Sequence, residues 1–319
     1  MSVIESEQIE AEESSRYEAP RNARKHRARA QNGYFALFVF PAVALFLLVL
    51  IGPIVFSVGV SLFQWNGLTS PEWRGLRNYE ILFRDPTFIR SLINTLVILF
   101  VGGAIIFVVG FFFASFIRTM RGRNFIRAVL FFPFVASPIA LSIVWGVLFQ
   151  YRGIVNNMLA DFGIAPIEWL SQENIFKMAV IGTVWVSGGL YVTILLAGMD
   201  QIPRSYYEVA DLEGANAFQR FRYVTLPLSW DVASVAAILW TIEALKLFDF
   251  LFAFGGATST MPPVEIWNSA LFVYGQTFGD QVPSYRFGYA SASAVVMLVL
   301  FGIIIVLLRR VMRRDPIEL

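Results

Sequence analysis

Three charged side chains, Glu243, Lys246 and Asp249, recur at three-residue steps inside the apolar stretch 232–255. Residues three or four apart lie on one face of a helix, so neighbouring charges here can form ion pairs. A charge at membrane depth costs about 2.5 to 3.5 kcal/mol on insertion scales, and such residues therefore face a protein interior or water. The three are candidates to line a polar pathway. Two other interpretations stay open: an internal ladder of ion pairs that locks a subunit interface, or a place for Asp249 at the outer surface.

Neighbouring stretches add hydroxyl and aromatic groups to this candidate pathway. Thr183 and Ser187 are four residues apart on one predicted helix face, and Trp240 precedes Glu243 by about one turn. Hydroxyl groups donate and accept hydrogen bonds, whereas an indole offers an apolar face with one donor. For each residue taken singly, ordinary helix packing is the alternative.

The sequence has few of the groups that bond-breaking chemistry needs. It contains no cysteine, and its single histidine, His26, lies in a basic segment near the start. Cysteine nucleophiles, thiolate metal sites and a Ser-His triad within this chain are therefore excluded. The chain also lacks the Gly-x-x-x-x-Gly-Lys-Ser/Thr loop that holds ATP phosphates. We predict neither an enzyme nor a metal site.

The composition is that of a membrane protein. Hydrophobic residues make up 57% of the 319 residues and charged residues only 15%, against about 25% in soluble domains. A helix needs about 20 apolar residues to cross about 30 Å of hydrocarbon. Six stretches have this length: 35–62, 92–117, 128–149, 179–199, 232–255 and 289–308. We therefore predict an all-α, polytopic membrane protein with six transmembrane helices.

The positions of lysine and arginine predict the orientation. Most of the chain's 25 lysines and arginines lie before the first apolar stretch, after the last one, or in alternate loops between them. Because such residues are retained on the cytoplasmic side, both termini should be cytoplasmic. The predicted divisions are a disordered cytoplasmic tail at 1–32, a first transmembrane helix with its extracytoplasmic loop at 33–86, a core at 87–308 and a cytoplasmic tail at 309–319.

The cytoplasmic loop 202–228 reads as two short helices joined by a turn. Pro203 suits a first helical turn, and Gly214 can adopt the left-handed conformation that closes a helix. A second helix is predicted over 217–224, before Pro227 marks the turn into the next span. The result is a compact elbow at the membrane face, which can dock on a partner. A solvated amphipathic connector is the alternative.

A sequence motif in this loop resembles the coupling-loop signature of bacterial ATP-binding-cassette importer permeases. Val209 stands where that signature has its middle alanine, and Val224 where it has isoleucine. The matching positions are Glu208, Val209, Ala210, Gly214, Ala215, Phe221, Val224, Leu226 and Pro227. Segments 63–68, 75–88, 94–96, 245–250 and 287–294 resemble the first permease of the carbohydrate branch that includes the maltose and glycerol-phosphate systems. The segment Gly255-Gly256-Ala257-Thr258 departs from the branch's usual Thr-x-Gly-Gly-Pro.

This resemblance implies a type I importer permease fold in a bacterial cell membrane. It also implies a second homologous permease, a cytoplasmic ATPase dimer, an extracytoplasmic solute-binding protein and a sugar substrate, with no nucleic acid. ATP and Mg would be held by the ATPase, and no cofactor by this chain. The implied ATPase-coupling residues are Tyr207, Glu208, Ala210, Asp211, Gly214, Ala215, Leu226 and Pro227. The implied substrate pathway contains Thr183, Ser187, Trp240, Glu243, Lys246 and Asp249.

Two other functions compete with this interpretation. An ion-coupled secondary transporter or channel would use Glu243, Lys246 and Asp249 as coupling sites, but it has no need of a docking elbow. A membrane-embedded enzyme would need a catalytic pair, and the sequence offers little for one. The substrate itself stays open among a disaccharide, an amino sugar, an oligosaccharide and glycerol 3-phosphate.

Overall fold

The computed structural model describes residues 38–254, 261–279 and 286–312. The predicted tail 1–32, the end of the tail 309–319 and the segment 255–258 lie outside these residues. The chain forms two compact units, Met1–Phe56 and Ser57–Leu319. In its described part, the first unit consists of the larger part of one apolar helix, α1 (Phe38–Val60), whose last residues belong to the second.

The second unit is mostly helical. Its helices are α2 (Arg77–Leu82), α3 (Pro86–Ile117), α4 (Arg123–Val135), α5 (Pro138–Leu148), α6 (Ile154–Asp161), α7 (Ile175–Asp200), α8 (Arg204–Leu212), α9 (Ala217–Leu228), α10 (Trp230–Lys246), α11 (Asp249–Ala253), α12 (Ser269–Phe278) and α13 (Phe287–Met312). A short 3-10 turn, Val264–Ile266, precedes α12.

The helices supply between four and six candidate membrane spans. Four of them, α1, α3, α7 and α13, are each long and apolar enough to cross a bilayer. Two further spans arise if the bent pairs α4 with α5 and α9 with α10 each count as one, with bends of 97° and 70°. The predicted stretch 128–149 is therefore not straight. Pro138 begins α5, where its missing N–H is tolerated, and the Ser137 hydroxyl caps this helix by accepting from the Ala140 N–H.

A small β-hairpin modifies the all-α prediction. Strands β1 (Phe63–Gln64) and β2 (Glu72–Trp73) pair antiparallel, with Phe63 opposite Trp73. The Asn66 side chain organises the loop between them, because its Oδ1 accepts the backbone N–H groups of Leu68 at 3.0 Å and Thr69 at 2.8 Å. This turn chemistry is a local signal that the search for long apolar stretches does not detect.

The predicted helix 232–255 is interrupted. Helix α10 ends at Lys246, and Asp249 begins the separate helix α11 after an extended Leu247. The Asn268 amide donates to the Leu247 carbonyl at 2.5 Å, which satisfies a backbone group released by the break. The prediction that Glu243, Lys246 and Asp249 share one continuous helix is therefore wrong.

Helix α7 lies at the centre of the second unit and packs on α3 and α4. Its residues Tyr191, Leu195 and Met199 are completely buried. At Gly189 the α4 backbone approaches so closely that an added Cβ would overlap the Leu130 carbonyl oxygen. Large apolar side chains remain exposed on the outer faces of the spans, such as Phe112 on α3. This distribution is what a lipid environment requires.

Candidate functional site

The half-buried carboxylate of Glu243 joins α7 to α10 through two hydrogen bonds. The Ser187 hydroxyl donates to Oε1 of Glu243 at 2.9 Å, and the Tyr191 hydroxyl donates to Oε2 at the same distance. Ser187 and Tyr191 are four residues apart and share one helix face. Both carboxylate oxygens thus have a donor, which offsets part of the cost of placing Glu243 in the span.

The carboxylate borders an open cavity of about 410 Å³. Five of the six residues predicted for the substrate pathway line it: Thr183, Ser187, Glu243, Lys246 and Asp249. Lys246 and Asp249 are exposed to the cavity, and within the described ranges neither forms an ion pair. The ladder of ion pairs that the sequence left open is therefore absent from these residues. The cavity instead presents the side chains of Lys246 and Asp249, each without an ion pair among the described residues.

Trp240, the sixth predicted residue, lies outside this lining. Its side chain is buried between α3 and α7, where the indole N–H donates to the Leu99 carbonyl at 2.8 Å and the ring meets Tyr191 edge-on. Aromatic rings reach the cavity from other positions, namely Phe134, Tyr191, Phe248 and Phe250. Phe134 belongs to α4, so no pattern within the stretches 179–199 and 232–255 indicates it.

Two local motifs form the turn between the helices of the elbow, residues 202–228. Gly214 has φ = +74°, and the N–H groups of Gly214 and Ala215 bond to the carbonyls of Asp211 and Ala210 at 3.0 and 2.9 Å. This is the Schellman ending of a helix. Asn216 and Gln219 then form a reciprocal capping box that begins α9. The predicted first helix is confirmed at Arg204–Leu212. The second helix begins at Ala217 as predicted but continues to Leu228, so Pro227 lies inside it and the turn into α10 falls at Ser229.

Contacts inside the elbow use several of the predicted coupling residues. Asp211 accepts from Arg220 at 2.6 Å, and the hydroxyl of Tyr207 lies 3.0 Å from that of Thr225. These two bonds tie α8 to α9. Ala210, Ala215, Leu226 and Pro227 are half-buried.

Among the described residues, the outer face of the elbow has no such partners. Glu208 is exposed and, among the described residues, makes no ion pair. Beside it, Val209, Leu212 and Phe218 are exposed, Leu212 to 88% and Phe218 to 71%. Large apolar residues displayed together with a charge on a short, rigid element are typical of a docking surface.

Arg118 links the elbow to the end of α3, a connection that the sequence analysis did not identify. Its guanidinium lies 4.7 Å from the centre of the Tyr207 ring, donates to the Ile202 carbonyl at 3.3 Å and pairs with Asp200 at 3.7 Å. Arg123 also pairs with Asp200, at 3.4 Å, but within the described ranges it forms no hydrogen bond or ion pair with the elbow. The only sequence signal is the density of arginines in the loop that holds both residues.

At the opposite end of α3, Asn94 holds the segment before α12. Its amide donates to the carbonyls of Glu265 and Trp267 at 2.9 and 2.8 Å. The Glu265 carboxylate accepts from the Gln172 amide at 2.6 Å. This hydrogen bond, with smaller contributions from the Glu265 backbone N–H and from Arg90, lowers the pKa of Glu265 below its usual range, although partial burial opposes the shift.

Comparison with known sequences places the chain in a family. A family model described as the binding-protein-dependent transport system inner membrane component matches residues 106–316. The lactose transport system permease protein LacF of Rhizobium radiobacter is 31% identical over 273 residues, which are 84% of this chain and 90% of the relative. The trehalose/maltose transport system permease protein MalF of Thermococcus litoralis is 32% identical over 241 residues, which are 73% of this chain and 81% of the relative.

Solved structures agree on the fold. A bacterial ATP-binding-cassette transporter involved in the import of the acidic polysaccharide alginate superposes with a TM-score of 0.76, covering 91% of this chain and 99% of that chain at 19% identity. The ion-coupled transporter or channel that the sequence left open is not favoured by any of these matches. The chain therefore belongs to the family of binding-protein-dependent transport system inner membrane components, and it is a multi-pass permease subunit of an ATP-binding-cassette importer rather than an enzyme.

Proposed function

We propose that this chain forms half of the transmembrane pathway for a sugar or a related solute. The other half is a second permease of related fold, an extracytoplasmic binding protein delivers the solute, and a cytoplasmic ATPase dimer holds ATP and Mg. The relatives support the substrate class, since they include transport system permease proteins for lactose, for trehalose or maltose, and for arabinooligosaccharides. An alginate transporter of similar fold is known in complex with a periplasmic protein that carries an alginate pentasaccharide.

In the proposed topology each bent helix pair crosses the membrane once, which gives six spans with both termini in the cytoplasm. The distribution of lysine and arginine supports this orientation. It places the elbow, as part of the core 87–308, on the cytoplasmic side and the β-hairpin outside. The tails 1–32 and 309–319 are then cytoplasmic, and 33–86 contains the first span and the first outer loop.

The observation that carries the proposal is the construction of the elbow. Its helices are fixed to each other by Asp211–Arg220 and Tyr207–Thr225, while Glu208, Leu212 and Phe218 point outward without partners in the described chain. A rigid element that displays apolar side chains at the cytoplasmic face can seat in a cleft of an ATPase. Movement of the ATPase would then be transmitted to α7 and α10, which flank the elbow in sequence.

The cavity beside Glu243 is suited to a sugar-sized solute. Its volume of about 410 Å³ lies within the range of about 300–1,000 Å³ that is usual for small-molecule sites. Sugars present apolar C–H faces and a ring of hydroxyl groups. Phe248 and Phe250 offer apolar faces, while the hydroxyl of Ser187 and the charges of Lys246 and Asp249 offer hydrogen bonds. Trp240 is buried behind the site and packs edge-on against Tyr191.

Co-purification of the ATPase tests the docking role directly. The tagged chain is purified from mild detergent with its partners, and wild type is compared with Gly214→Asp and Glu208→Lys. Gly163→Asp is the matched control, because Gly163 also has φ = +74° and open space around its Cα. Glu173→Lys controls for the charge reversal at an exposed glutamate outside the elbow.

We expect both elbow variants to lose the ATPase while both controls retain it, with all four folded by size-exclusion profile. Loss from the controls as well would mean that the substitutions act through the fold. Full retention by both elbow variants would refute the docking role of this surface.

A further inference from the structure

A long groove opens between α10 and α13 at the end of these helices nearest the elbow. Its volume is about 960 Å³, and the two helices are tied together there because the Trp230 indole N–H donates to the Met312 carbonyl at 2.9 Å. The groove is lined by Asp231, Ser234, Val235, Ile238, Val306, Arg309, Arg310 and Met312. None of these residues belongs to the elbow or to the cavity beside Glu243.

One part of this groove is apolar and open. Val235 is 56% exposed and Val306 is 64% exposed, with Ile238 half-buried between the helices. These side chains occupy positions within the apolar spans, before the charged end of α13 is reached. An apolar channel at this place matches a hydrocarbon chain, whereas a free phosphate ion would gain nothing from it.

The charged end of the groove carries two adjacent arginines. Arg309 and Arg310 are exposed, and in the parts of the chain that the structure describes neither forms an ion pair. A guanidinium presents a planar set of donors that fits phosphate oxygens. The single acidic group in the lining, Asp231, can only accept hydrogen bonds when ionised, so it suits a head group that bears hydroxyls.

We propose that this groove binds an anionic phospholipid with a hydroxyl-bearing head group, of which phosphatidylglycerol is the simplest. Its phosphate lies against Arg309 and Arg310, a glycerol hydroxyl donates to Asp231, and one acyl chain runs along Val235, Ile238 and Val306. This site rests on the topology proposed above, which places the end of α13 at the cytoplasmic leaflet. Basic residues that directly follow a span at this surface are attracted to anionic lipid.

The test counts lipids on the intact importer. The complex is purified from membranes in mild detergent, and bound phosphatidylglycerol is measured by native mass spectrometry for wild type and for Arg309→Gln/Arg310→Gln. The matched control is Arg121→Gln/Arg127→Gln, which removes two exposed arginines that make no ion pair in the described chain. A second variant, Val306→Trp, fills the apolar channel without changing any charge.

We expect the arginine pair variant to lose phosphatidylglycerol affinity by about tenfold or more, because each basic residue contributes to attraction at an anionic surface. The control should bind as wild type does, Val306→Trp should lose the lipid with both arginines intact, and excess inorganic phosphate should not displace it. Equal binding of phosphatidylethanolamine, or unchanged binding in the pair variant, would overturn the proposal. Displacement by inorganic phosphate would reassign the arginines to a free-anion site.

A cross-link separates lipid from a partner subunit. The chain has no cysteine, so Ser234→Cys introduces a unique thiol in the groove. A benzophenone maleimide attached to this thiol cross-links, on illumination, to whatever occupies the groove. Cross-linking to phosphatidylglycerol supports the lipid site, whereas exclusive cross-linking to the second permease overturns it. Because ATPase retention is read separately on the same preparation, failure of the lipid site and failure of the docking elbow give different results.

Discussion

The glutamates Glu243 and Glu208 occupy opposite surroundings. Glu243 lies on α10 with a hydroxyl donor on each carboxylate oxygen, whereas Glu208 stands exposed on the elbow with no ion pair in the described chain. Ser187 and Tyr191 of the chain itself donate hydrogen bonds to the Glu243 carboxylate, because an unpartnered charge among packed apolar helices is too costly. On the elbow, the exposed Glu208 is left to water or, in the proposed complex, to the ATPase. Substitutions in the first region should therefore act on the folded chain, and those in the second on assembly.

Two glycines give the largest expected contrast between these regions. At Gly189 a side chain would overlap the α4 backbone, so Gly189→Val should force α4 and α7 apart and cost about 3 kcal/mol. At Gly214 the space is open, and Gly214→Ala should cost only about 1 kcal/mol, for the left-handed backbone. Thermal unfolding of the purified complex measures both. Equal melting temperatures for the two variants would contradict the close packing of α4 on α7.

Removal of one donor to Glu243 should have an intermediate effect. Tyr191→Phe deletes the hydrogen bond to Oε2 and should destabilise the chain by about 1–2 kcal/mol. Solute uptake should fall while ATPase retention stays at the wild-type level. Tyr274→Phe is the control, because the Tyr274 ring packs on Phe248 and Phe278 while its hydroxyl forms no hydrogen bond with the described residues. If both variants behave alike, the carboxylate does not depend on Tyr191.

Substitution of Arg118, which connects α3 to the elbow, should have a smaller effect. Arg118→Ala removes the contact with Tyr207 and the bond to Ile202, at an expected cost of about 1 kcal/mol. The ratio of solute transported to ATP hydrolysed should fall, because the elbow is then free to move without α3. Arg123→Ala removes the other partner of Asp200 but no elbow contact, and should leave the ratio unchanged. An unchanged ratio in Arg118→Ala would remove this residue from the coupling path.

The smallest effect is expected at Glu265, in the segment before α12. The folded pKa of Glu265 is lowered chiefly by the Gln172 hydrogen bond, so ionised Glu265 stabilises the fold above its usual pKa. That contribution is lost as the pH falls through the usual value toward the lowered one. Melting temperatures of wild type between pH 6 and 4 should therefore decrease more steeply than those of Gln172→Ala. Parallel curves would show that this hydrogen bond does not contribute to stability.

The elbow was predictable because its signals are local. Pro203 and Gly214 mark the first helix, and both act within one turn of their own position. The apolar stretches likewise reveal spans from length alone. Five of the six predicted pathway residues line one cavity, although their contact with a solute stays a prediction.

Other features depend on residues distant in sequence and could not be predicted in this way. The break after Lys246 is satisfied by Asn268, twenty-one residues beyond Leu247. Phe134 reaches the cavity from another helix, and Arg118 meets the elbow only because α3 ends beside it. Nothing in the apolar pattern of one helix specifies which side chain of a neighbour completes its hydrogen bonds.

The hydrogen bond from the Trp240 indole to the Leu99 carbonyl restricts how α3 and α10 can move relative to each other. It joins α10 to a π-helical turn of α3, Ile98–Gly102, and the indole fits against Gly103 so closely that a side chain there would strike it. These two helices cannot rotate or slide independently without breaking the bond. During a transport cycle α3 and α10 should move as one rigid unit. Changes in the angles between helices should then concentrate at the bends between α4 and α5, between α9 and α10, and after Lys246.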